Sequence, residues 1–251
     1  MNDKRNLGLQ PRKENNREKR PIKVTNFDLE NIYSHFSENL EAVKRHFELA
    51  DDLVAAGKED YAKDIWRTQI VFLESALDYY IHEITKYGMN KIFNKEWSRT
   101  EKYNNYNLKL SDVLYVISNP EETSWFLEHV NNAIISGTFM DYKSIKDQLN
   151  LLGIDIQKVA DKAFYVQGST DKTIDQLKRH LNRLFKRRNE IAHQSDRSHY
   201  DGTQNNITRE DVINEIQNIE KIVKAIYDSA SDDSCRVQSD VSEDENIEFV
   251  F

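Results

Sequence analysis

The chain has 251 residues, 43 acidic against 35 basic for a formal net charge of −8, with 7 glycines, 3 prolines and 1 cysteine. That length accommodates one sizeable helical domain with tails and leaves little room for a second, and so few turn formers argue against a many-stranded sheet protein. The lone cysteine, Cys235 in a polar stretch, excludes an intrachain disulfide and a cysteine-based zinc site, and its surroundings argue against a catalytic thiol.

No stretch approaches the roughly 18 uninterrupted apolar residues of a membrane span. The opening "MNDKRNLGLQPRKENNREKRP" lacks the apolar centre of a secretory signal. A cytoplasmic protein without membrane association is expected. Charge is unevenly distributed along the chain. Residues 1–25 form a basic arm, and residues 229–251 an acidic, serine-rich tail that is poor in apolar residues until Phe249, Val250 and Phe251. The acidic tail cannot bury enough surface to offset its ordering entropy, and both ends are expected to be disordered or ordered only by a partner. The basic arm has the charge to touch nucleic acid, although a solvated tail is the commoner reading of such a run. Residues 26–228 are expected to form the folded domain.

Within that domain apolar residues recur at helical spacing. Phe27, Leu29, Ile32, Phe36, Leu40, Val43 and Phe47 predict a first helix that stops near Gly57. A second runs over about 60–87, through Ile65, Trp66, Ile70, Leu73, Leu77, Tyr80, Ile81 and Ile84, and is expected to stop at Gly88. The two are long enough to lie antiparallel in a bundle. Residues 89–110 read as a polar connection dotted with Trp97, Tyr103 and Tyr106. Short helices are predicted over 111–117, 120–135, 142–152 and 155–163, with Pro120 suited to a first turn and Gly153 to a stop. A longer helix follows over 173–193. The last opens at Thr208 and Asp211, a capping-box pair, and carries Val212, Ile216, Ile219, Ile222, Val223 and Ile226. There is no internal repeat and no alternating strand pattern.

The 173–193 helix ends in "LFKRRNEIAHQ". At about 100° per residue, Ile174, Leu177, Leu181, Leu184, Phe185, Ile191 and Ala192 share one face, and Arg188 falls in its middle. Lys186 and Arg187 are predicted to point away, toward solvent. An arginine in an apolar stripe either snorkels outward or needs an anionic partner, a carboxylate or a phosphate. His193 lies at the helix end, with Asn189 one turn before it and able to orient its ring. Histidine has the pKa for proton transfer near neutrality, and a guanidinium grips phosphate oxygens through two parallel hydrogen bonds. A spaced arginine–histidine pair is expected about once by chance in such a chain, but Arg-Asn-x-x-x-His only about a few hundredths of a time.

The order of a helix ending in "RRNEIAH", the polar loop "QSDRSHYDGTQNN" and a final amphipathic helix resembles the HEPN superfamily. Its RiboL-PSP-HEPN branch is the closest in texture, through "LESALDYYI" at 73–81 and "LLGID" at 151–155. The resemblance covers about 26–227. It implies an all-α domain that dimerises and brings two Arg-x(4–6)-His motifs into one cleft that cuts RNA without metal or other cofactor. Arg188, Asn189 and His193 match that pattern position by position. The resemblance also implies a toxin or antiviral defence setting with a restraining partner protein, although many family members are catalytically silent scaffolds that bind RNA, nucleotide or protein.

Further candidates carry bland readings beside the functional ones. Glu74 and Asp78, one turn apart on the second helix, place Glu74 where it can hold Arg188, against the reading of both as solvated carboxylates. Glu190 lies inside the motif but points elsewhere on the helix. Lys186 and Arg187 are candidates for RNA phosphate contacts. His199 and Tyr200 read as incidental rings in a loop, and His82 and His180 as structural. The sequon Asn206-Ile207-Thr208 would matter only in a secreted protein. No glycine-rich phosphate loop, paired-carboxylate metal cluster or serine nucleophile elbow is present. Three classes of function stand open: a metal-independent endoribonuclease, a silent HEPN scaffold, and an unrelated helical interaction domain with an accidental motif.

Overall fold

The computed structural model describes residues 24–232. Most of the basic arm and nearly all of the acidic tail, Cys235 included, lie outside the described residues. Those described form nine α-helices and no strand, an all-α architecture as the periodicity implied. No helix among them is long and apolar enough to cross a membrane.

α1 (Leu29–Ala55) begins at Asp28, whose carboxylate accepts the Asn31 backbone N–H at 2.8 Å and so satisfies one of the free N–H groups of the first turn. It buries Ile32, Phe36, Leu40 and Val43. Gly57, with φ +71°, makes the turn into α2 (Glu59–Phe93). So short a connection returns α2 antiparallel along α1.

α2 is the centre of the fold. It packs against α1, α5 (Trp125–Ile134), α6 (Tyr142–Leu152), α8 (Thr173–Gln194) and α9 (Arg209–Ser231). Surrounded in this way it is buried on most of its circumference: Ile70, Leu73, Leu77, Tyr80, Ile81 and Ile84 are closed to solvent, and Arg67, Gln69, Glu74, Glu83 and Lys86 are buried beside them. A helix enclosed by five neighbours has no single apolar stripe.

Gly88 does not stop α2, which continues to Phe93. The glycine instead permits close approach, since a Cβ there would stand 2.7 Å from Leu152 Cδ2 and 2.9 Å from Trp97 Cζ3. The helix ends where Lys95 takes a left-handed conformation, φ +62°. The expected connection over 89–110 therefore shrinks, and it holds a short helix, α3 (Glu101–Asn104), capped by Thr100. α4 (Leu110–Ser118) follows. Pro120 lies outside any helix, and α5 starts only at Trp125.

α6 (Tyr142–Leu152) ends at Gly153 with φ +78°, where the left-handed backbone suits glycine. α7 (Ile156–Phe164) connects to α8. α9 carries the expected capping box, Thr208 with Asp211. It runs to Ser231 with Ser229 and Ala230 buried, a little past the 228 boundary expected for the domain.

Candidate active site

α8 places the motif. Its fully buried residues are Leu177, Leu181 and Leu184. At about 100° per residue, Arg188 lies within about 20° of their centre and Arg187 about 90° to one side. Ala192 is exposed and Phe185 only half-buried, so the apolar face is narrower than the spacing of hydrophobic residues suggested.

Arg188 is held against α2. Its Nε stands 3.0 Å from Oε2 of Glu74, a carboxylate with no exposed surface. Its Nη1 donates to Asn189 Oδ1 at 3.0 Å. The approach to Glu74 is close but off the hydrogen-bonding direction, and both Glu74 oxygens lack a hydrogen-bond donor among the described residues. Burial drives the Glu74 carboxyl up to about 8; the Arg188 charge opposes this, and the neighbouring Asp78 adds to it. Glu74 is thus largely protonated at neutral pH, and Arg188 keeps charge to offer another anion.

Asp78 does not join the arginine. Its Oδ1 accepts the Phe139 backbone N–H at 2.6 Å and lies 3.6 Å from His82 Nε2, so it anchors the segment between α5 and α6. His82 packs its ring on Phe139. His180 stacks on Phe164. Burial, reinforced by Arg183, Arg179 and Lys221, pushes the His180 imidazole down to about 4, so this ring is neutral near pH 7.

Arg187 corrects the expectation of a solvent-facing cation. Its side chain is 19 % exposed against 78 % for Lys186. Both terminal nitrogens engage the carboxylate of Asp196, Nη2 donating to Oδ2 at 2.9 Å. Nη2 also donates to the Asn206 carbonyl at 3.2 Å. The helical phase put Arg187 at the border of the buried stripe, and residues 195–206 fold back over that flank. A side chain at such a border is buried or free according to what the next segment covers. The Arg187 guanidinium is thus already engaged by a carboxylate. Lys186 stays on the surface, 3.7 Å from Glu190, which also lies 3.6 Å from Arg187.

His193 is exposed in the last turn of α8, and its ring has no hydrogen-bonding or ionic partner among the described residues. His199 and Tyr200 are exposed in the loop beyond it. The residues that sequence reasoning missed are Asp196, fully buried, and Arg67 on α2, whose Nε donates to Asp196 Oδ2 at 2.7 Å and whose Nη2 donates to the Asn205 carbonyl at 2.8 Å. An arginine amid the buried residues of α2 was the available signal, because such a charge demands an anion.

One helix therefore carries an accessible histidine and, nearby, an arginine backed by a buried carboxyl group. A family model described as RiboL-PSP-HEPN matches residues 28–232, nearly the whole of the described structure. The chain belongs to the RiboL-PSP-HEPN family. No curated protein and no solved structure gives a significant match. In this HEPN-type domain, α2 and α8 are the helices that set the motif.

Proposed function

We propose that this HEPN protein is an endoribonuclease that cuts RNA by attack of its own 2′-hydroxyl, at a site composed from two copies of the chain. The observation that carries the reading is the pair Arg188 and His193 at the accessible end of α8, with the buried Glu74 carboxyl lying behind Arg188. Arg188 binds the phosphate and stabilises the charge that builds on its oxygens in the transition state. His193 accepts the 2′-hydroxyl proton as the O2′–P bond forms. A second imidazole, His193 of the partner subunit, donates a proton to the departing 5′-oxygen as the P–O5′ bond breaks. Asn189, bonded to Arg188 and one turn from His193, orients the guanidinium.

Geometry favours two copies. His193 lies five positions after Arg188, so the two side chains leave α8 about 140° apart, and a twofold arrangement with α8 near the axis brings the arginine of one copy toward the histidine of the other. A nuclease of this type endangers its own cell unless restrained. The proposed setting is accordingly cytoplasmic, as a toxin or antiviral effector held by a partner protein.

The test is cleavage of a defined RNA in EDTA. Cutting should persist, leave a 2′,3′-cyclic phosphate or the derived 3′-phosphate, and fail at a single 2′-deoxy position, whereas water activated by a metal tolerates the deoxy sugar. Folded His193→Ala protein should be inactive. Continued cutting by that variant, or by wild type at the deoxy position, refutes the mechanism; RNA binding without cleavage identifies a silent scaffold.

A further inference from the structure

The exposed His193 ring has no polar partner among the described residues, so its place depends on the backbone at the end of α8. The helix stops with two successive residues in the left-handed region, Ser195 at φ +52° and Asp196 at φ +55°, neither of them glycine. Such conformations are unfavourable for L-residues and persist only where surrounding interactions over-determine them.

Asp196 supplies those interactions. Its backbone N–H reaches back to the Glu190 carbonyl at 2.8 Å, and its own carbonyl accepts the Asn205 N–H at 2.8 Å. Its carboxylate accepts four hydrogen bonds: from Arg67 Nε at 2.7 Å and Arg187 Nη2 at 2.9 Å on Oδ2, and from Arg187 Nη1 and Asn205 Nδ2, the latter at 3.1 Å, on Oδ1. This buried charge is paired and saturated, the condition under which an ion pair defines geometry.

The second half of the clamp lies on the same helix. Arg67 and Glu74 are seven residues apart on α2, hence within about 20° of one another around it. Arg67 grips Asp196 beyond the motif, while Glu74 meets Arg188 within it. The adjacent Arg187 and Arg188 thus diverge, Arg187 into the Asp196 grip and Arg188 against the buried Glu74, so that α2 meets α8 on both sides of the segment that ends in His193.

We propose that Asp196 is a positioning residue for the nuclease reaction: tied to Arg67 and Arg187, it sets where α8 ends and therefore where the His193 imidazole stands. This rests on the endoribonuclease reading for its kinetic consequence but not for its geometry. In the Asp196→Asn variant an amide N–H faces a guanidinium in place of a carboxylate oxygen. With folding checked by circular dichroism, kcat should fall about 100-fold, the scale of an ångström-level misplacement, with KM changed less than about threefold because Arg188 still binds phosphate. The His193 imidazole resonance, assigned by its loss in His193→Ala, should shift and broaden. Should Asp196→Asn not fold, Arg67→Lys, which keeps the charge but loses the Nε contact, is read in the same way. An unmoved His193 resonance in the folded variant, or an unchanged kcat in a cleaving protein, overturns the inference. If wild type does not cleave RNA, the nuclease reading fails, and the resonance alone decides whether Asp196 positions the ring.

Discussion

Replacing Glu74 by glutamine isolates the energetic cost of the carboxyl behind Arg188. Glu74 has no exposed surface, and burial moves its pKa from 4.5 to about 8 against the pull of Arg188. Between those values the folded protein retains a proton that the unfolded chain has released. Stability contributed by that proton is therefore fully present below about 4.5 and is lost as pH rises through about 8. At ~1.4 kcal/mol per pH unit the ceiling over this window is ~5 kcal/mol. Water reaching the partly exposed Arg188 and local relaxation should cut this to about half. Glutamine has the same shape and no ionisation. The stability advantage of Glu74→Gln over wild type should therefore grow by about 2 to 3 kcal/mol from pH 5 to pH 8. Urea denaturation at four pH values measures the difference directly. Parallel wild-type and variant curves across the window would refute the reasoning and show that Glu74 is ionised in the fold, held so by Arg188.

The two cations that precede Arg188 should separate cleanly by stability. Arg187→Ala leaves buried Asp196 with Arg67 as its remaining cation and should cost about 3 kcal/mol, whereas Lys186→Ala, on the surface, should change stability by less than ~0.5 kcal/mol; equal urea midpoints would show that the Asp196 network does not form. Gly88→Ala tests two opposed effects in α2. Alanine gains up to ~1 kcal/mol in helix propensity, but its Cβ would press on the buried Leu152 and Trp97 side chains, an overpacking worth about 1 to 3 kcal/mol, so the melting temperature should fall, and a rise would show that this contact yields.

The sequence by itself determined the helices whose pattern is local. α6 is legible from end to end because its spacing, its aspartate cap and Gly153 all act within a few residues of one another. The capping box of α9 is legible for the same reason, and Arg188, Asn189 and His193 stand together within six residues of sequence. Tertiary structure decided everything that depends on who lies beside a residue. Gly88 reads as a helix stop from its backbone freedom alone, yet the chain uses its missing side chain to admit Leu152 and Trp97. Glu74 looks like an ordinary carboxylate until the enclosure of α2 removes its water. Arg187 and Arg188 are adjacent in sequence and differ by about 100° in direction, but only the return of residues 195–206 determines that Arg187 is spent on Asp196. Helical phase is set by local backbone geometry; burial and ion pairing are set by segments far away in the chain, here Arg67 meeting Asp196 across 129 positions, and no local pattern encodes that meeting.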